Sequence, residues 1–302
     1  MRSKFIRRSL LYIPGSSMKM LQKAVVLHPD AVILDLEDAV SIAEKDTARA
    51  QVVQMLPEIK KTGKEVLVRV NGMDTQWGID DLQAIIPCRP DAIVLPKASR
   101  RFVIAADCMM SMLEQKYGME QDAVGLVPLF ETTEAIMTGY EILGLCSRIN
   151  GVQFGAEDLT KELEIGRTAA GDEVYYAREQ LIFAARARGV DPLDTPFTDV
   201  KDLQALEQDV QKAKAMGFTG KTCIHPSHIE TINRVYTPSE AEVTRARGIV
   251  EAMDAAAAAG KGACMYENKM VDAPVAARAA RLVDKAARIA AAEAARQEEE
   301  SL

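Results

Sequence analysis

Ala31–Glu37 reads AVILDLE, Glu44–Lys61 reads as an amphipathic helix, and Glu65–Asn71 reads EVLVRVN. A β-branched apolar run, a helical stretch and a second apolar run make a βα unit that feeds a parallel strand. The pattern extends both ways. Upstream lies Ser9–Pro14 (SLLYIP). Downstream come Ala92–Lys97 (AIVLPK), Ala123–Glu131 (AVGLVPLFE), Ile149–Asp158 (INGVQFGAED), Pro192–Phe197 and Gly220–His225 (GKTCIH). The helical stretches include Arg101–Tyr117, Asp172–Arg188 and Asp202–Met216, and Gly63, Gly118, Gly189 and Gly217 supply stop signals. In Arg101–Tyr117 the helical spacing of Phe102, Ala105, Ala106, Met109, Met112 and Leu113 predicts a core-facing stripe. Eight such units predict a (β/α)8 TIM barrel. An open doubly wound sheet is the alternative, weakened because G-x-G-x-x-G does not follow the first strand and no P-loop pattern occurs.

After residue 236 the rhythm stops. Pro238–Ala259 reads as one helix with Ser239 as N-cap, Gly260–Met265 as a link, and Pro274–Glu300 as a long Ala-rich helix. The expected organisation is a catalytic barrel over 1–236 and a C-terminal helical extension over 237–302. The extension has too little apolar surface to fold alone, so it should pack on the barrel or on a neighbouring subunit.

The 302 residues, 48% hydrophobic, are enough for one large core. With 44 acidic and 37 basic residues the net charge is −7, which argues against nucleic acid as a partner. The basic cluster Arg2, Lys4, Arg7 and Arg8 reads as a solvated terminus, with Arg8 the exception. No apolar run is long enough for a membrane span and no signal peptide is evident, so the expected compartment is cytoplasmic. The five cysteines, at 88, 108, 146, 223 and 264, show no C-x-x-C pairing and read as reduced, mostly buried small side chains.

Barrel enzymes place their chemistry at the C-terminal ends of the strands. There the sequence puts Asp35, Glu37 and Asp38 after the second strand, Arg69 and Asn71 on the third, Lys97 after the fourth, Glu131 on the fifth, and Glu157 and Asp158 on the sixth. Unpaired charges near a core cost several kcal/mol each, roughly, so a net of ion pairs or a divalent cation must compensate them. Glu131 and Asp158 come from adjacent strands and could share a Mg²⁺ with water and a chelating substrate. Glu131 read singly could equally favour a helix N-terminus. Arg69, in an otherwise apolar strand, needs a carboxylate or an anionic ligand, and Glu37 or Asp38 could hold it. A Schiff-base aldolase using Lys97 and a non-catalytic binding module are the competing readings.

RRSLLYIPG, ILDLEDAV followed by EKDTAR, VRVNG, LPK, FGAED, GFTGKTCIHPSHI and KMVDAPV occur in this order over residues 7 to 285. In these motifs the chain resembles the citrate lyase β-subunit family, among the Mg²⁺-dependent HpcH/HpaI-type aldolases. The resemblance implies a lyase that cleaves or forms the C–C bond of a 3-hydroxyacyl thioester, such as citryl-CoA or citryl-acyl-carrier protein. Its products would be an acetyl thioester and an oxo acid such as oxaloacetate. Citramalyl-CoA or malyl-CoA lyases, and malate-synthase-like thioesterases, are the alternatives within the family. It further implies Mg²⁺ on Glu131 and Asp158, Arg69 facing the thioester, Glu37 supporting Arg69, and Arg8 near the thioester carrier. Asp272 would be an acid delivered by a neighbouring subunit of a homotrimer or higher homo-oligomer. Lys45 and Arg49 lie in a shared segment. Glu134 and Ala135 depart from the family pattern after the metal glutamate, so Glu134 is expected to touch the substrate or simply to favour its helix N-terminus.

Overall fold

In the computed structural model, which describes residues 4–168 and 170–300, eight parallel strands close into a barrel in sequence order. They are β1 (Ser9–Pro14), β2 (Ala31–Asp35), β3 (Glu65–Arg69), β4 (Ala92–Leu95), β5 (Gly125–Phe130), β6 (Gly151–Phe154), β7 (Asp191–Asp194) and β8 (Gly220–Cys223). Around them run α1 (Met18–Val26), α2 (Lys45–Lys60), α3 (Gln76–Ile85), α4 (Arg100–Lys116), α5 (Thr133–Met137), α6 (Gly139–Ile142), α7 (Ala156–Glu162), α8 (Tyr175–Arg188), α9 (Leu203–Met216) and α10 (His228–Tyr236). The predicted barrel is therefore observed.

Strands buried on both faces read as continuous apolar runs, which is why these segments stand out. One parity fills the barrel: Leu10, Ala31, Ile33, Leu67, Ala92, Val94, Val127, Leu129 and Leu193 form a buried cluster, with Tyr12 packed on it. The other parity, including Val32, Leu34, Val66, Val68 and Ile93, is buried in the layer between strands and helices. Side chains alternate along a strand, so the inward series continues past the apolar residues. It runs from Leu10 to Tyr12, from Ile33 to Asp35, from Leu67 to Arg69 and from Leu129 to Glu131. That continuation delivers polar groups to the open end of the barrel.

The strand-start end is closed by ion pairs. Arg7 donates from Nε and Nη2 to Glu65 and from Nη1 and Nη2 to Asn150. Arg8 donates to Asp30 from its backbone N and from Nε, both at 2.8 Å, and from Nη2 at 2.9 Å. Both arginines are buried, so this part of the basic cluster is not a solvated terminus; Arg2 lies outside the described residues. A second buried network sits between barrel and helices at β7. Asp194 accepts from Arg178 Nε at 3.0 Å and from Lys221 Nζ at 2.6 Å, and Lys221 also reaches Asp209 at 2.6 Å.

Some expectations change. On α4 the buried residues are Val103, Ala106, Met110, Leu113 and Glu114, while Met112 is exposed. The buried face takes in Glu114, which binds Arg148 at 2.9 Å, and shares only Ala106 and Leu113 with the predicted stripe. Of the cysteines only Cys223 is buried; all five are free thiols. No helix among the described residues is long and apolar enough to cross a membrane.

The chain divides into two compact units, one ending at Arg234 and one beginning at Val235. The second contains α11 (Glu240–Ala258), β9 (Ala263–Tyr266), β10 (Lys269–Asp272) and α12 (Ala273–Glu300). Ser239 opens α11 with a capping box: its Oγ accepts from Glu242 N, and Glu242 Oε2 accepts from Ser239 N. The predicted link is an antiparallel hairpin, β9 paired with β10. Its two turn residues, Glu267 (φ 46°) and Asn268 (φ 61°), are both left-handed, as a tight hairpin turn requires.

Candidate active site

A cavity of about 450 Å³ opens at the C-terminal ends of the strands, a size suited to a small molecule. Tyr12, Asp35, Arg69, Glu131, Gln153, Asp158 and Thr195 all line it.

Arg69 is the best-held cation there. Asp35 takes Nε and Nη2 in a two-pronged pair, both at 2.7 Å. Glu37 lies 3.0 Å and Asp38 3.6 Å from Nη1. The guanidinium carbon sits 4.9 Å from the centre of the Tyr12 ring. Burial works against this charge, but Tyr12, Asp35 and Glu37 outweigh it and keep the group cationic. Two of its five N–H bonds go to Asp35 and a third faces Glu37, which leaves donors for a ligand oxygen.

The loop after β2 that carries Glu37 is braced from behind. Asp35 accepts from Glu37 N and Ala39 N. Lys45 Nζ donates to the carbonyls of Leu36 and Glu37 at 2.8 and 2.7 Å. Arg49 holds Asp81, and Asp81 accepts from both the backbone N and the side chain of Asn71. Lys45 and Arg49 therefore support the loop and do not face the cavity. Glu37 also pairs with Lys97 Nζ at 2.9 Å. Burial disfavours charge on Lys97, but the Glu37 hydrogen bond and the nearby carboxylates raise its pKa above the usual lysine value. A firmly protonated amine is not the free nucleophile a Schiff base needs.

Glu131 is 3% exposed. Lys97, in a left-handed conformation (φ 45°), turns its backbone N–H onto Glu131 Oε1 at 2.7 Å. Burial first, then the charges of Glu37 and Asp158, push the Glu131 carboxyl up to about 8. Gly155 makes room for it, since a Cβ at 155 would meet Glu131 Cβ at 2.6 Å and Oε2 at 2.9 Å. Asp158 is not on the sixth strand as expected. The chain turns at Gly155, and Asp158 is the third residue of α7, half-buried at the cavity wall. Thr195 fixes that turn by accepting from Ala156 N at 3.2 Å.

Two other expected site residues of the first unit, Arg8 and Glu134, do not line the cavity. Arg8 precedes β1 and pairs with Asp30 at the strand-start end, a strand length (six residues) from the cavity mouth. Glu134 is exposed in the first turn of α5, where a negative charge is favourable, and is not among the residues that line the cavity. Asp272 belongs to the second unit, where its Oδ1 accepts from Val275 N at the start of α12. His225 is exposed and bonded to Ser227.

Reading strand ends alone gives Tyr12, Gln153 and Thr195 no role and does not single out Asp35 as the main anchor of Arg69. Parity was the available signal. Asp35 follows Ala31 and Ile33 on the inward face and stands in register with Arg69.

The family model described as HpcH/HpaI aldolase/citrate lyase matches residues 8–226. The chain is 35% identical over 281 residues to the citrate lyase subunit beta of Escherichia coli strain K12, covering 93% of each protein. It is 37% identical over 265 residues to a (3S)-malyl-CoA thioesterase of Cereibacter sphaeroides, covering 88% of this chain and 89% of that one. Among solved structures, CitE from Mycobacterium tuberculosis in complex with magnesium, acetoacetate and coenzyme A is 30% identical, with a TM-score of 0.75 over 92% of this chain and 97% of that one. Fold and relatives together make this a lyase. The chain belongs to the HpcH/HpaI aldolase/citrate lyase family.

Proposed function

We propose that the chain is a Mg²⁺-dependent lyase that cleaves or forms the C–C bond of a 3-hydroxyacyl thioester, giving an acetyl thioester and an oxo acid. The observation that carries this reading is one cavity holding a buried, ion-paired guanidinium, Arg69, together with a buried, under-compensated carboxylate, Glu131, and a second carboxylate, Asp158, on its wall. Citryl-CoA or citryl-acyl-carrier protein, giving oxaloacetate, is the first substrate class, by likeness to the citrate lyase β subunits. Malyl-CoA or citramalyl-CoA is the second, favoured by the 37% identity to a malyl-CoA thioesterase.

The residues fit a divalent cation. Glu131 is buried beside like charges, and its partner Lys97 N–H does not offset them. No group of three or more His, Cys, Asp or Glu forms a metal cluster among the described residues. Glu131 and Asp158 would supply two oxygens and leave the rest to water and substrate, as Mg²⁺ favours. When bound, Mg²⁺ supplies Lewis acidity that lowers the pKa of the substrate hydroxyl. Arg69 offers its free N–H donors to the thioester oxygen, where negative charge grows as the enolate forms. Asp35 and Glu37 keep that guanidinium fixed, so no reorganisation is needed as charge develops. Asp272, presented by a neighbouring subunit of a homotrimer or higher homo-oligomer, is the proposed acid that protonates the enolate carbon.

Acetyl-CoA release from citryl-, citramalyl- and malyl-CoA tests the reading. Release from at least one, lost in EDTA and restored by Mg²⁺, is expected. Turnover that survives EDTA, with trapping of a borohydride-reduced adduct on Lys97, would contradict it.

A further inference from the structure

Two polar side chains at the cavity floor have no part in the chemistry above. Tyr12 continues the inward face of β1. Gln153 lies in register with Leu129 of β5 and Leu193 of β7, on the inward face of β6. Gln153 Nε2 donates to the Tyr12 hydroxyl at 2.7 Å. Gln153 is 2% exposed, and its Oε1 is buried without a partner.

Turning the amide over would exchange the two roles and leave the nitrogen unpaired instead. Either way one buried amide atom is unsatisfied, a standing cost to stability that an apolar side chain of similar size avoids. The amide thus serves the hydroxyl and not the packing of the core. As placed, the Tyr12 hydroxyl accepts from Gln153 and still has its own proton to donate. The face of its ring is taken by Arg69. Its hydroxyl is tied to β6, the strand that leads into Gly155 and Asp158, beside Glu131.

We propose that Tyr12 donates a hydrogen bond to an oxygen of the oxo-acid half of the substrate, and that Gln153 is the positioning residue that aims its hydroxyl. This rests on the lyase reading above. It divides the cavity into a thioester side under Arg69 and an oxo-acid side at Tyr12.

The test uses the full chain and the variants Tyr12→Phe and Gln153→Leu. Calorimetry with pyruvate, glyoxylate and oxaloacetate, each with Mg²⁺, reads affinity; thermal melts read stability. Tyr12→Phe keeps the ring beneath Arg69 but strips buried Gln153 Nε2 of its partner, so its Tm should fall modestly while oxo-acid affinity falls about 10- to 100-fold. Gln153→Leu should lose about tenfold in affinity with Tm unchanged or raised. A purely structural pair would do the reverse, with a lower Tm for Gln153→Leu and unchanged affinity. If the parent binds an oxo acid and Tyr12→Phe binds it within twofold, this inference falls and the lyase reading stands. If the parent binds none of the three with Mg²⁺, both fall.

Discussion

Replacing Glu131 by glutamine is expected to lower kcat/KM by about 10³-fold. Lewis-acid stabilisation of developing charge is worth several kcal/mol, and losing about 4 kcal/mol is a thousandfold in rate. Glutamine fills the same space against Gly155 and can still accept from Lys97 N, so the fold should survive. The variant should also change how stability responds to pH. In metal-free protein the folded carboxyl titrates near 8, against about 4.5 for an ordinary glutamate. Between those values the folded state keeps a proton that the unfolded chain has released. This contribution to stability is therefore fully present below about pH 4.5 and is lost as pH rises through 8. The parent's metal-free Tm should decline from pH 6 to pH 9 more steeply than that of Glu131→Gln, and added Mg²⁺ at pH 8 should raise the Tm of the parent only. Parallel pH slopes for the two proteins would show that Glu131 carries no such proton.

Asp194→Ala should badly damage the fold, with a loss of about 3–5 kcal/mol in denaturant unfolding. Asp194 lies between Arg178 and Lys221, and all three side chains are buried. Burial opposes the Asp194 charge, but Lys221 and Arg178 overcome that and hold its carboxyl below the usual range. Removing the carboxylate leaves Arg178 and Lys221 with Asp209 alone. Lys221→Met should cost less, since Asp194 keeps Arg178 and an apolar chain fills the space. A loss under about 1 kcal/mol for Asp194→Ala, the range typical of exposed pairs, would contradict this.

The barrel was legible because its strands are buried on both faces and read as unbroken apolar runs between helical stretches. The site was legible where charge interrupts those runs, at Arg69 and Glu131. Elsewhere the signal lay in contacts between residues far apart in the chain. Arg7 resembles part of a solvated terminus until Glu65 is brought beneath it by the closing of β1, β2 and β3. Asp158 looks like a strand residue because FGAED continues an apolar run. The turn at Gly155 is fixed from β5 and β7, by Glu131 and Thr195, and not by local sequence. The hairpin of the second unit escaped notice because its turn, Glu267-Asn268, adopts two left-handed residues without a glycine. Glu134 drew attention by its charge, yet its backbone places it on the outside of α5.

Glu131 and Asp158 are proposed to hold the cation together. Anomalous diffraction from crystals soaked in Mn²⁺ tests this most directly. One strong peak per chain between the two carboxylates, absent from Glu131→Gln and Asp158→Asn crystals, is the predicted result. Crystals of a protein active with Mn²⁺ that bind the ion elsewhere, or bind it equally in both variants, would rule out this pair as the cation site.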